Sequence, residues 1–174
     1  MTQNSPTIST LRHLLDNEAS KFTSAEIQLK NRMHGWISKA GSLKLKNVLQ
    51  KYVDFVQQHI DKLEGFYEAE QMVSLSVTNR VMHAFIEETE EKLDSCTDTE
   101  ITDACLLASI QAINHFKISM YGTAAAFANE LGMENQAAVF HELEVNEKQI
   151  DDRLSQLAEH EINDRANTSV ALPR

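Results

Sequence analysis

Two charged residues stand where the sequence otherwise places apolar ones. In the region 106–131, apolar residues recur every three or four positions, and Lys117 lies on this face, four residues after Ile113. Glu147 holds the same kind of position in the region 134–160, four residues after Leu143. An ammonium group and a carboxylate on the inner faces of neighbouring helices predict a polar site inside a helical bundle.

Two further residues interrupt apolar helix faces and carry groups that hold charge or bind metals. Glu26 lies on the inner face of the first predicted helix, and His59 on that of the second. With Glu147 they offer two carboxylates and an imidazole for one metal ion, and Asp151 follows one helical turn later. In the second interpretation, Glu26 and Glu147 are internal partners of Lys117, and His59 is a hydrogen-bonded core histidine. The second is favoured, because a buried lysine without a partner is costly.

The composition narrows the classes of function. The chain has 174 residues, a net charge of −10, two prolines and five glycines. This acidity argues against binding to nucleic acids or anionic membranes, because contact with phosphates needs a basic patch. Cys96 and Cys105 form neither a disulfide framework nor a closely spaced metal-binding pair, and no histidine base is placed beside either. With no signal peptide and no apolar run of about 18 residues, a cytoplasmic location is expected.

The helical periodicity predicts one domain over residues 8–160, with flexible termini at 1–7 and 161–174. Helix boundaries are indicated by Gly41-Ser42, by Gly132 and by a capping box at Thr97-Asp98-Thr99-Glu100. Four long helices, with a short helix in the one long link, predict an all-α four-helix bundle. The predicted helices run from an entry at Ser5-Pro6 to about 40 (A), from about 43 to 69 (B), from 74 to 93 (the short helix), from 98 to 131 (C) and from 134 to 160 (D).

Several short motifs, in their order and spacing, resemble those of the YciE/YciF-type ferritin-like stress proteins. The likeness covers residues 11–158, nearly all of the predicted bundle. The best match is His115-Phe116 followed by Tyr121-Gly122-Thr123 in helix C. The other matching positions are Ala25-Glu26, Gln28-Leu29, Leu63-Glu64, Phe66, Ile86-Glu87-Glu88, Asp103-Ala104, Leu106, Ala128, Leu131-Gly132, Glu147-Lys148, Asp151 and Leu154.

The resemblance implies a ferritin-like bundle whose inward carboxylates and histidines hold two irons for oxygen or peroxide chemistry. Glu26 and Glu147 match two of the family's carboxylates. On helix B the family's histidine falls at Tyr52, and a glutamate falls near Phe55. On helix C two glutamates fall at Asn114 and Lys117, so the resemblance implies a degenerate di-iron site. The predicted internal polar cluster comprises Glu26, Tyr52, His59, Asn114, Lys117 and Glu147.

Two classes of function follow from the residues and the resemblance. The first is a stress-associated structural or interaction protein that forms a homodimer, needs no cofactor and is not an enzyme. The second is a ferritin-like metalloprotein that oxidises or sequesters iron, with candidate ligands Glu26, His59, Glu147 and Asp151. Lys117 favours the first class, because its ammonium group would repel metal ions.

Overall fold

The part of the chain that the structure describes is helical. The computed structural model describes residues 7–70 and 77–167, and no strand occurs within these ranges. Its helices are α1 (Leu11–Ala19), α2 (Phe22–Lys39), α3 (Leu43–Ala69), α4 (Arg80–Asp94), α5 (Thr99–Glu130), α6 (Glu134–Leu157), a π-helix (Ala158–Ile162) and α7 (Asn163–Asn167). The predicted fold class, an all-α ferritin-like four-helix bundle with an additional short helix, is confirmed.

Two helical hairpins build the bundle. α2 packs against α3, α5 packs against α6, and α3 packs against α6 to join the hairpins. α1 precedes α2 in the first arm and packs against α5. The long link between α3 and α5 carries α4, which packs against α2 and α5 and so covers one side of the bundle.

The first predicted helix is interrupted, which corrects the prediction of one continuous helix A. Between α1 and α2, Ser20 and Lys21 lie outside both helices. Groups that are distant in the sequence donate hydrogen bonds to the backbone carbonyls at this break. The carbonyl of Ala19 accepts the Tyr67 hydroxyl, and that of Ser20 accepts the backbone N–H of Val77 at 3.3 Å. These tertiary hydrogen bonds compensate for the helical ones that the break removes.

α4 begins later than the sequence predicts. Residues 77–79 are not helical, and residues 74–76 lie outside the described ranges. Asn79 caps the helix, and its side chain accepts a hydrogen bond from the backbone N–H of Met82 at 2.9 Å. The Asn79 backbone is also bound to α2, since its N–H donates to Ser24 and its carbonyl accepts from Gln28. The contacts of Asn79 with α2 therefore set the start of α4. Helical periodicity in the sequence does not predict such contacts.

The caps of α1 and α5 also differ from the predicted ones. Thr10 caps α1, and the predicted entry at Ser5-Pro6 lies outside the described ranges. At α5 the cap is Asp98 rather than Thr97, the first residue of the predicted capping box. The Asp98 carboxylate accepts the backbone N–H three residues later at 2.9 Å. A carboxylate also interacts favourably with the positive end of the helix dipole.

The helical chain continues past its predicted end, which corrects the flexible tail expected from residue 161. The π-helix and α7 extend α6 to Asn167, while residues 168–174 lie outside the described ranges. Ile162 anchors this extension in the apolar core and is only 1% exposed. Glu161 pairs with Lys44 at 2.5 Å and with Arg165 at 3.3 Å. A single buried isoleucine does not establish a helical periodicity, so the sequence pattern does not predict this extension.

A close approach ties the α2–α3 connection to the first turns of α5. The buried Asp103 carboxylate accepts the backbone N–H groups of Gly41 at 2.7 Å and Ser42 at 2.8 Å. A Cβ atom added at Gly41 would lie 2.0 Å from Thr99 Cγ2, so glycine permits the approach. Gly132 has another role. It lies after the end of α5, and its φ of 70° lets the chain turn into α6.

The buried apolar residues form two clusters, one on each side of a polar layer. One cluster includes Leu29, Val56, Ile113 and Ile150, and the other includes Phe22, Leu63, Tyr121 and Leu143. Glu26, His59, Lys117 and Glu147, on α2, α3, α5 and α6, lie close to the point where each helix passes from one cluster to the other. The fold therefore places the candidate functional residues in the middle of the bundle.

Candidate functional site

All four long helices contribute to the buried polar cluster. Every member is 0% exposed, so its charges and hydrogen bonds must be satisfied inside the protein. The members are Glu26 on α2, Tyr52 and His59 on α3, Asn114, Lys117 and Tyr121 on α5, and Glu147 on α6.

The Lys117 ammonium group lies at the centre of this cluster. Its Nζ atom is 2.9 Å from Glu26 Oε2 and 2.6 Å from Glu147 Oε1. It also lies 4.7 Å from the centre of the Tyr52 ring, in cation–π geometry. Lys117 therefore bridges the carboxylates of α2 and α6 through two short ion-pair contacts.

The Glu147 carboxylate is held by neutral donors through its other oxygen. Its Oε2 atom accepts the Tyr52 hydroxyl at 2.5 Å and Asn114 Nδ2 at 2.8 Å. Asn114 Nδ2 also lies 2.9 Å from the backbone carbonyl of Glu147, which ties α5 to α6. Each donor uses a lone pair of this one oxygen, so Glu147 Oε2 joins α3 and α5 to α6.

The Glu26 carboxylate is bound in a similar way. Its Oε1 atom accepts the Tyr121 hydroxyl and lies 3.1 Å from His59 Nδ1. His59 Nδ1 is also 3.4 Å from Glu147 Oε1, so the imidazole faces both carboxylates. On its other side, His59 Nε2 lies 3.4 Å from Asn146 Nδ2. His59 is therefore satisfied entirely by side chains of the bundle.

The pKa shifts in the cluster follow from burial and charge. Burial by itself would raise the pKa of Glu26, but Lys117 and His59 outweigh it and lower this pKa to about 2. Burial would likewise lower the pKa of Lys117, but Glu147 and Glu26 raise it overall. Burial, together with the neighbouring carboxylates, raises the pKa values of Tyr52 and Tyr121 well above the usual value. The lysine is thus charged, and both tyrosines are neutral hydrogen-bond donors.

The residues present do not fit a di-iron centre. Glu26, His59 and Glu147 each offer a ligand atom, and these atoms all lie within 4.8 Å of one another. The Lys117 ammonium, however, contacts an oxygen of each carboxylate and repels any metal cation brought between them. Asn114 supplies a neutral amide, and not a further anionic ligand, on α5. Hard, doubly charged irons need more carboxylate oxygens than this cluster offers.

The remaining candidate ligand lies elsewhere. Asp151 is on the outer side of α6, where its Oδ1 atom is 2.8 Å from Nε2 of the exposed His115. The cluster instead includes Tyr121, and the partly exposed Asn146 contacts His59 at the edge of the cluster; the sequence analysis assigned neither residue to it. Tyr121 follows Lys117 by one helical turn, so helical spacing alone was a usable signal for its position.

No helix among the described residues is both long enough and apolar enough to cross a bilayer.

Comparison with known proteins identifies the family. Residues 10–167 match DUF892, a domain of unknown function. The chain is 30% identical over 155 residues to protein YciF of Escherichia coli K12, covering 88% of this chain and 91% of that protein. In a structural comparison, the crystal structure of the E. coli stress protein YciF gives a TM-score of 0.84 at 25% identity, covering 93% of this chain and 100% of that one.

A second solved structure has the same fold. YcfI from Rhodopseudomonas palustris gives a TM-score of 0.83 at 24% identity, covering 89% of this chain and 97% of that chain. The resemblance found in the sequence motifs is thereby confirmed. This chain belongs to the DUF892 family of all-helical bundles and is a relative of E. coli YciF.

Proposed function

We propose that this chain is a metal-independent, stress-associated bundle protein that acts through its surfaces and not by catalysis. The contact of Lys117 with both Glu26 and Glu147 carries the proposal. In a ferritin-like metalloprotein, bound cations neutralise the carboxylates inside the bundle. Here a covalently attached ammonium supplies positive charge at the same place. The scaffold therefore keeps its buried carboxylates without a metal cofactor.

The donors around the carboxylates support the same proposal. Tyr52 and Asn114 already bind Glu147, and Tyr121 and His59 already bind Glu26. A metal would have to displace these hydrogen bonds as well as the ammonium. Because the pKa values of both tyrosines are raised, neither phenol provides an anionic oxygen at neutral pH in compensation.

The association with stress and the homodimer rest on the family and the surface. The relative of known structure is described as the E. coli stress protein YciF, which supports a role under similar conditions. On α6, Ala138 is exposed and Val139 is partly exposed beside the inward face. We assign this apolar strip to contact with a second copy of the chain.

Iron binding is the second candidate function. The observation in its favour is the grouping of Glu26, His59 and Glu147, whose ligand atoms lie within 4.8 Å of one another. Under this alternative the ammonium of Lys117 swings away, and ferrous iron takes its place between the carboxylates. The two functions therefore differ in whether iron competes successfully with Lys117.

Metal analysis separates the two functions. The protein, purified without chelator and then loaded anaerobically with ferrous iron, is analysed for iron per chain and for oxygen consumption. We expect neither two tightly held irons nor faster oxygen consumption than in buffer. Stoichiometric binding of two irons per chain would contradict the proposal.

A matched set of variants tests whether Lys117 is the obstacle. Replacing Lys117 and Asn114 together by glutamate restores carboxylates at the two family positions on α5. This Lys117→Glu/Asn114→Glu variant should bind iron measurably better than the wild-type protein, because carboxylate ligands replace the repulsive ammonium and the neutral amide. Lys148→Glu, which changes an exposed lysine on α6, is the control and should leave iron binding unchanged.

A further inference from the structure

The two cysteines, which lie apart from the buried cluster, come together at the α4–α5 connection. Cys96 follows the C-terminal end of α4, and its Sγ atom donates to the carbonyl of Lys92 at 3.2 Å. The same sulfur lies 3.9 Å from the carbonyl of Ile101 in the first turns of α5. Cys105 follows Ile101 by one helical turn, so it projects from the same side of α5. The connection thus folds the Cys96 thiol back over α5 towards Cys105.

The two thiols are neighbours on this side of α5. Both are partly exposed and both are free. Within the helix, the backbone N–H of Cys105 donates to the same Ile101 carbonyl that the Cys96 sulfur contacts. Cys105 also packs against the apolar core, which holds its position on α5. A disulfide requires the two sulfurs to approach to about 2 Å, and rotation of the two side chains about their Cα–Cβ bonds provides this approach. Partial exposure allows a small oxidant to reach them from solvent.

We propose that Cys96 and Cys105 form an oxidisable dithiol, which hydrogen peroxide converts into a disulfide that ties the end of α4 to α5. In the first step one thiol sulfur attacks peroxide, giving a sulfenic acid and one water molecule. The second thiol then attacks the sulfenic sulfur, forms the S–S bond and releases a second water molecule. In total, the two thiols lose two electrons and two protons, and peroxide is reduced to two waters.

The surroundings of Cys105 indicate slow oxidation. Burial and the neighbouring Cys96 raise the pKa of the Cys105 thiol, and this outweighs the opposite effects of Lys92 and Ser109. The thiolate is the nucleophile in the first step, so a protonated thiol reacts slowly. Cys105 by itself is therefore a slow nucleophile towards peroxide. Reduction by a small dithiol should reverse the change.

Mass spectrometry of the full chain tests the disulfide directly. Reduced protein is treated with hydrogen peroxide, remaining thiols are alkylated, and the product is digested with trypsin. No lysine or arginine lies between Leu93 and Phe116, so both cysteines remain in the one peptide 93–117. We expect this peptide to resist alkylation and to be roughly 2 Da lighter than its reduced form. Dithiothreitol should restore two alkylated cysteines.

Thermal unfolding supplies an independent measurement. A disulfide that closes this short loop reduces the conformational entropy of the unfolded chain. The unfolding midpoint of the oxidised protein should therefore rise by on the order of 5 °C. The same peroxide treatment should leave the midpoint of Cys96→Ser and Cys105→Ser unchanged, since each variant lacks one of the two sulfurs.

Three results would overturn the proposal. The first is recovery of both cysteines alkylated after peroxide treatment that oxidises free glutathione completely. The second is conversion of the cysteines to separate sulfinic or sulfonic acids, each marked by added oxygen. The third is a disulfide between chains, which links two copies of peptide 93–117. Any of these would show that the thiols do not react with each other within one chain.

Discussion

At the scale of single residues, the defining feature is a buried lysine between two carboxylates in the middle of the bundle. Lys117 is completely buried, which lysine tolerates only with anionic partners at hand. Two carboxylates from different helices provide them, and neutral donors bind the remaining carboxylate oxygens. The cluster is therefore a connected unit, and changing one member affects the others.

A double-mutant cycle measures the coupling between Lys117 and Glu147. Lys117→Met should lower the free energy of unfolding by about 3–5 kcal/mol, because it leaves two buried carboxylates without their cation. Combining it with Glu147→Leu should recover part of the loss, so the two changes are not additive. Urea unfolding of the four proteins in the cycle provides the free energies.

An exposed pair on α6 is the matched control for this cycle. Lys148 and Glu144 are also 2.6 Å apart, but the lysine side chain is 55% exposed. The coupling free energy of this pair should be below about 1 kcal/mol, since solvent screens it. Equal coupling free energies for the buried and exposed pairs would show that burial does not strengthen the interaction between Lys117 and Glu147.

The acid range of the stability curve should report on Glu26. Its pKa is lowered from the ordinary value of 4.5 to about 2 in the folded protein. A carboxyl group with a depressed folded-state pKa stabilises the fold above its unfolded-state pKa, and this contribution disappears as pH falls through the folded-state value. We therefore expect a loss on the order of 3 kcal/mol between about pH 5 and pH 2 that is due to Glu26.

Comparison of the wild-type protein with Glu26→Gln isolates this contribution. The variant cannot ionise at this position, so its free energy of unfolding should fall less steeply over the same pH range. Urea unfolding at several pH values measures both slopes. Parallel curves for the two proteins would mean that Glu26 does not have a lowered pKa in the folded state.

At the scale of elements, tertiary contacts decide where helices end. The break between α1 and α2 has its carbonyls bound by Tyr67 and Val77, which come from α3 and from the segment before α4. The extension after α6 depends on Ile162, which packs into the same core cluster as residues of α2 and α3. Both features need partners that are distant in the sequence.

Truncation of Ile162 tests the C-terminal extension. Ile162→Ala should lower the free energy of unfolding by about 2–4 kcal/mol, because it removes a buried side chain and leaves a cavity. Ile101→Ala is the control, since Ile101 is 39% exposed at the start of α5 and its truncation should change stability by less than about 1 kcal/mol. Equal losses would show that the extension does not pack stably on the bundle.

At the scale of the whole molecule, the proposed homodimer is the prediction to test. Light scattering coupled to gel filtration should return twice the 19.7 kDa mass of one chain. Val139→Arg should shift the mass towards that of one chain, because it places a charge in the proposed apolar contact on α6. The same change at Val81, which is 50% exposed on α4, should leave the dimer intact. A single-chain mass for the wild-type protein at every concentration would contradict the dimer.

Much of the architecture is determined locally and is therefore visible in the sequence. Helical periodicity and a near absence of proline predict the long helices and their inward faces, since these depend on residue spacing alone. The unusual positions of Glu26, His59, Lys117 and Glu147 on those faces are visible for the same reason. The family resemblance then orders the helices into one known bundle.

Only the tertiary structure decides which of these polar groups meet. Asp151 shares α6 with Glu147 but faces His115 on the surface, because a helix turns 100° per residue and small differences in phase choose the side. Tyr121 joins the buried cluster, Asn146 contacts it through His59, and the Cys96 sulfur lies against the first turns of α5, all through tertiary packing. A sequence specifies helix faces by local spacing, whereas contacts across a bundle depend on how those faces are rotated and brought together.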